Sequence, residues 1–140
     1  MNRLEATVKE IKDLGVVTYI YVESLGKELK IIKSKRPKWL EEGDSIYCEF
    51  QEASVCISSD CKKSISVENC IPGKLTNIRK SEPLCELTFQ SEVGNVVSLI
   101  TTDAFDALSI KEEDDLALLL RGIDINVEPK ITVQNLKTYG

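Results

Sequence analysis

Residues 69–79 read NCIPGKLTNIR, and residues 2–12 read NRLEATVKEIK. Laid over one another at a constant offset of 67, Asn2 meets Asn69, Leu4 meets Ile71 and Ala6 meets Gly73. Val8 then meets Leu75, Ile11 meets Ile78 and Lys12 meets Arg79. The offset runs on through Val17/Leu84, Ile20/Leu87 and Val22/Phe89. One inserted residue near Gly26 and Gly94 moves it to 68, setting Leu29-Lys30-Ile31-Ile32 on Val97-Ser98-Leu99-Ile100. Two more residues before Leu40 move it to 70, where Ile46 meets Leu116, Phe50 meets Leu120 and Val55 meets Ile125. A register held over so many apolar positions marks an internal duplication.

Each copy is dense in strand signals. VVTYIYV, GKELKII and SIYCEF in the first half alternate or run β-branched and aromatic, with Gly, Ser or Asp breaks between them. PLCELTF, GNVVSLI and DLALLL stand in the equivalent places of the second half. A short helical turn is expected between the third and fourth strands of each copy. It is KRPKWL in the first and TTDAFDAL in the second, the latter capped by Thr102 or Asp103. The fold class that follows is all-β: two OB-like Greek-key β-barrels in tandem, each with one short helix.

The second barrel opens just after ISVEN, residues 65–69, and the chain closes on a near copy, ITVQN at 131–135. The first copy opens at Asn2 with no room for such a segment before it. The expectation is a circular arrangement, in which the C-terminal strand returns to complete the first barrel. The first barrel then takes residues 1–63 plus 130–140, and the second takes 64–129.

Composition narrows the function. Eighteen Lys/Arg against 23 Asp/Glu leave a net charge of −5, which works against non-specific binding to nucleic acid or to an anionic membrane. The aromatic share of 6% also leaves few stacking platforms for a single-strand binder. The longest apolar run, Leu116–Leu120, is too short to span a bilayer, and the polar N-terminus does not read as a secretory signal. A cytoplasmic location is the expectation. With no histidine and no CxxC pair among five cysteines, zinc spacings are missing and the cysteines read as structural or incidental thiols. No nucleophile–base pairing or cofactor loop stands out, so the chain does not read as an enzyme.

The pattern resembles the TOBE/Mop domain of cytoplasmic molybdate- and tungstate-binding proteins. That family runs roughly S-x-R-N-x-[LF]-x-G-x-V-x-x-I, then I-[ST]-x-x-[AS], then [IL]-K-A-x-x-V. The second copy is similar along Ser66-Val67-Glu68-Asn69-Cys70-Ile71-Pro72-Gly73, along Ile100-Thr101-Thr102-Asp103-Ala104, and along Leu120-Arg121-Gly122-Ile123-Asp124-Ile125. Its length resembles molbindins made of two Mop domains, and N-x-[LI]-P-G resembles the ligand-binding half of the molybdate-responsive transcriptional regulator. The resemblance implies a molybdate or tungstate oxyanion as ligand, held between subunits or domains of a homo-oligomer, a dimer or trimer. Such a dianion wants convergent hydroxyl, amide and cationic donors. The positions it implies are Ser66, Val67, Asn69, Thr101, Thr102, Ala104, Arg121 and Gly122, with Ser34, Thr132 and Asn135 on the side of the first copy.

Departures from the family pattern define an alternative. Glu68 and Gln134 stand where the family has arginine, and Gln51-Glu52 and Arg121-Gly122 replace the lysine-alanine pair. A carboxylate beside a dianion is repulsive unless it points away. The alternative is therefore the sensing and dimerisation module of a regulator, or a degenerate Mop module that has lost its oxyanion.

Overall fold

Asn2, Leu4, Ala6 and Val8 are buried while Arg3, Glu5 and Thr7 between them are not, so period-two alternation lays one face of β1 (Asn2–Asp13) on a core. The computed structural model describes residues 1–61 and 64–130. β6 (Asn69–Lys80) repeats the alternation at its first seven residues, with Asn69, Ile71, Gly73 and Leu75 buried. Both strands carry a bulge at the same point, between Val8 and Glu10 and between Leu75 and Asn77. There Val8 N–H donates to Asp44 O at 2.9 Å, and Val8 O accepts Gly43 N–H at 2.8 Å. Leu75 does the same with Asp114 at 2.9 Å and Glu113 at 2.7 Å. The duplication seen in sequence is thus a duplication of backbone geometry.

The remaining strands of the first copy are β2 (Thr18–Ser24), β3 (Lys27–Lys33), β4 (Ser45–Phe50) and β5 (Cys56–Ser58). Those of the second are β7 (Leu84–Ser91), β8 (Gly94–Thr101), β9 (Asp115–Leu120) and β10 (Asn126–Pro129), with one α-helix, α1 (Thr102–Leu108), between β8 and β9. Short 3-10 turns follow β4 at Glu52–Ser54 and β9 at Gly122–Asp124. Among the described residues all pairings are antiparallel, in two five-stranded sheets ordered β10-β4-β1-β2-β3 and β5-β9-β6-β7-β8. Within each, the four long strands keep the Greek-key order in which the fourth returns beside the first. The fold is all-β and built twice.

The fifth strands are exchanged. β5 belongs to the first copy by sequence but pairs with β9, Cys56 opposite Leu119. β10 belongs to the second copy but pairs with β4, Val127 opposite Cys48. Each short strand covers an edge that its own copy does not own. The crossing into the first sheet begins at Asn126, and the ITVQN segment expected to complete that barrel lies outside the described residues.

Two details differ from the expectation. The repeat offset does not slip at Gly26 and Gly94: the hairpin pairs Ser24/Lys27 and Ser91/Gly94 stand in the same register, and buried Leu29 and Ile31 match buried Val96 and Ser98. The slipped register sets polar Lys30 on polar Ser98, whereas the observed one sets buried Ile31 on Ser98, a serine that is itself buried with its hydroxyl donating to Val55 O at 2.7 Å. The extra residues of the second copy fall after Thr101 and form α1. In the first copy KRPKWL makes no α-helix; it closes one turn, with Leu40 N–H donating to Pro37 O at 3.1 Å. Pro37 lacks the N–H that a helix would use and disfavours helical geometry at Arg36.

Candidate functional site

Asn69 begins β6 with its side chain buried between the two sheets. Its Oδ1 accepts Lys30 N–H at 2.8 Å, and its Nδ2 donates to Lys30 O at 2.9 Å and Leu120 O at 3.1 Å. The carboxamide is therefore spent on the edge strand β3 of the other copy. Asn2 repeats this on β8, accepting Val97 N–H and donating to Val97 O, both at 2.8 Å.

One residue earlier stands Glu68, whose Oε1 accepts Gly122 N–H at 2.7 Å. Gly122 is buried against β3, where an added Cβ would lie 2.6 Å from Lys30 O. Glycine is required there by the close approach of two backbones. The Ser66–Asn69 and Arg121–Gly122 segments thus adjoin over β3. Ser66 is exposed and Val67 half-buried. Arg121 is exposed and folds back on Asp124, Nε to Oδ2 at 3.0 Å and Nη2 to Oδ1 at 3.3 Å. At the related point of the first copy the Met1 amino group meets the Glu52 carboxylate.

Thr101 and Ala104 lie elsewhere. Thr101 Oγ1, and not the expected Thr102 or Asp103, caps α1 by accepting Ala104 N–H at 3.1 Å, the helix beginning one residue earlier than its sequence suggested. Both line an open, mainly apolar groove of about 540 Å³ shared with Ala53, Val55, Cys56 and Ile57 of the first copy; neither Arg121 nor Gly122 reaches it. Thr102 is buried, its hydroxyl donating to Ser81 O and its N–H to Pro83 O, so it ties α1 to the β6–β7 turn. Ser34, exposed just past β3, occupies the place of Thr101 in the first copy. Beside it Lys33 Nζ donates to Asn126 Oδ1 at 3.1 Å, and burial holds the Lys33 pKa below the usual lysine value. Thr132 and Asn135 lie outside the described residues.

The structure brings the sequence-derived positions into two groups, each built from both copies: Ser66–Asn69 with Arg121–Gly122 over β3, and Thr101–Ala104 with Ala53–Ile57. Three features were not read from the sequence. Asp124 is the partner of Arg121, three residues on, a spacing too common to single out. Glu68 points at a backbone amide rather than away from the site. Cys61 and Cys70, read as thiols, form a disulfide with Cα atoms 5.8 Å apart; pairing cannot be deduced from cysteine spacing alone. Cys48 and Cys85 are fully buried, as their alternation with core residues implies, and Cys56 is exposed. Among the described residues no group of three or more His, Cys, Asp or Glu is placed to hold a metal ion, and no helix is long and apolar enough to cross a membrane.

No protein-family profile and no curated protein matches the chain. Among solved structures it is similar to the cytoplasmic molybdate-binding protein ModG, in a crystal form with molybdate bound. The TM-score is 0.82, over 91% of this chain and 95% of that one, at 19% sequence identity. The chain shares the ModG fold. The likeness to ModG runs nearly end to end, so it takes in both copies. Identity of 19% makes it a likeness of fold.

Proposed function

We propose that this chain is a non-enzymatic binding protein for a tetrahedral metal oxyanion, molybdate or tungstate, serving in molybdenum storage, homeostasis or sensing. The observation that carries this reading is the nearly end-to-end fold match with ModG, a molybdate-binding protein. The resident chemistry suits it. Ser66 and Thr101 offer hydroxyls, the Ser66–Glu68 backbone offers amides, and Arg121 offers a cationic fork. The Arg121–Asp124 pair is exposed, and such pairs contribute about 0–1 kcal/mol, so a dianion can recruit the guanidinium at small cost. In this reading the chain works in the cytoplasm as a dimer or trimer. Facing copies complete the donor shell in this reading, because the groove beside Thr101 and Ala104 is open and Ser66 and Arg121 are exposed.

A second reading is favoured by one contact. The Glu68 carboxylate already sits on Gly122 N–H, so one amide that an oxyanion would use carries an internal anion instead. A chain with every such donor taken would be a Mop module that dimerises without ligand.

Isothermal titration of the full chain with molybdate, tungstate and sulfate separates the two. Saturable heats with molybdate or tungstate, at least tenfold tighter than sulfate, support the binding protein. No heat with any of the three leaves the ligand-free module. Sedimentation at tens of micromolar tests the assembly, and a monomer alone would remove the shared seat.

A further inference from the structure

Lys33 ends β3 on the inward face of its strand, opposite buried Thr18 and two residues beyond buried Ile31. The duplication supplies its own control. The related residue of the second copy is Ile100, which stands opposite buried Cys85 and packs on the core. An apolar core position is thus a lysine in one copy only. The ammonium reaches β10, where Nζ donates to the neutral carboxamide of Asn126, Oδ1 at 3.1 Å. Asn126 itself stands where the second copy has Cys56. Burial holds the Lys33 pKa below the usual lysine value, although Asp124, Cys48 and Glu128 attract its charge. The Asp124 carboxylate is already turned to Arg121. A half-buried cation whose hydrogen-bond partner is neutral is destabilising, and an anion relieves it.

The rims of the two copies differ in the same sense. After Lys33 come Ser34, Lys35, Arg36 and Lys38, all exposed, in a chain of net charge −5. Arg36 is engaged with Leu40 O and the Glu41 carboxylate. Among the described residues Lys35 and Lys38 have no carboxylate within ion-pair distance. The second copy has Asp103 and Asp106 in that stretch and no lysine or arginine, and the residues lining its groove include no cation. We propose that the end of β3 in the first copy, centred on Lys33, Ser34 and Asn126, is a seat for a tetrahedral oxyanion that the second copy lacks. The inference rests on the binding reading above and names which copy holds the ligand. Lys33 supplies the partly desolvated charge. Asn126 accepts from Lys33 through Oδ1, which leaves Nδ2 as a donor beside the Ser34 hydroxyl. The exposed lysines supply the local field that draws a dianion to an acidic protein.

The test titrates the full chain with molybdate, tungstate, sulfate and inorganic phosphate, unaltered and as Lys33→Met and Lys9→Met. Lys9 is an exposed lysine of β1 near Glu23, so its loss makes the same change in net charge away from the seat. Lys33→Met should weaken the bound oxyanion roughly tenfold or more, the loss of one charge-assisted hydrogen bond. Lys9→Met should bind as the unaltered chain does. Because Ile100 fills the related place, Lys33→Met should melt no lower than the unaltered chain. In the unaltered chain the carbon-13 shift of Lys33 Cε should move on adding oxyanion and saturate at the calorimetric affinity. Should Lys33→Met not fold, that shift decides the point, since a Lys33 signal unmoved at saturation overturns the seat. Unchanged affinity in Lys33→Met, or equal weakening in Lys9→Met, overturns the seat and leaves the binding reading standing. Sulfate or phosphate bound through Lys33, with no molybdate or tungstate bound, upholds the seat and overturns the molybdate reading. No heat with any of the four anions overturns both.

Discussion

Asn2 and Asn69 hold the two copies to each other by the same exchange of hydrogen bonds. Each opens a long strand in one sheet and lays its carboxamide against the edge strand of the other, on Val97 and Lys30 respectively. With the exchange of β5 and β10, this leaves neither copy with a complete edge or a satisfied first residue of its own. One cluster of buried apolar side chains accordingly includes residues of both, from Leu4 and Phe50 to Leu75 and Phe89.

Asn69→Ala should cost about 2–4 kcal/mol, because Lys30 N–H and two carbonyls lose their partner in a buried place. Asn2→Ala, with two bonds to lose, should cost less. Urea unfolding followed by Trp39 fluorescence, which reports the first copy, should coincide with far-UV circular dichroism. Two separate transitions in the unaltered chain would contradict the interlock.

Gly122→Ala should destabilise by about 2 kcal/mol or more, since the new methyl must push the 3-10 turn away from β3. Gly26→Ala, in open space but at φ +86°, carries only the backbone penalty of about 1–2 kcal/mol. Thermal melts of the pair should order Gly122→Ala below Gly26→Ala, and the reverse order would refute the close approach.

Glu113→Gly should stabilise the chain by about 0.5–1 kcal/mol. Glu113 sits at φ 77° where the first copy has Gly43 at φ +90°, and both donate to the bulge residue of the long strand. The relief of left-handed strain is offset in part by the added freedom of glycine in the unfolded chain. A lower denaturation midpoint in Glu113→Gly would count against this.

Arg121→Ala should leave stability within about 0.5 kcal/mol, because its pair with Asp124 is exposed. Its molybdate affinity should fall by about 1.5–3 kcal/mol through loss of a charge-assisted donor. Equal affinities by titration would remove Arg121 from the proposed seat.

Burial pushes the Cys48 thiol up to about 12 from an ordinary value of 9.0. The folded state therefore keeps a proton that the unfolded chain gives up. Stability from this group is full below pH 9 and falls as pH rises from there toward 12. Cys48→Ala should flatten the alkaline side of a stability–pH curve measured with urea. Iodoacetamide on the native chain at pH 8 should modify Cys56 and spare Cys48 and Cys85; prompt labelling of Cys48 would deny its burial.

Asn2, Val8, Ile46 and Phe50, matched one by one with Asn69, Leu75, Leu116 and Leu120, made the duplication and the all-β class readable from the chain, because core alternation is a local, periodic property. SIYCEF and DLALLL coincide with β4 and β9 residue for residue. The position of the insertion was not readable, since a buried serine, Ser98, stands where the first copy has Ile31 and so mimics the polar Lys30 one residue earlier. Nor was the use of Asn69, Glu68, Arg121 or Cys61, although three of the four belong to motif positions. Their partners, Lys30, Gly122, Asp124 and Cys70, meet them through strand exchange, a 3-10 turn or a crossing segment. A polar side chain states only what it can bond; which donor it meets depends on where the rest of the backbone comes to lie.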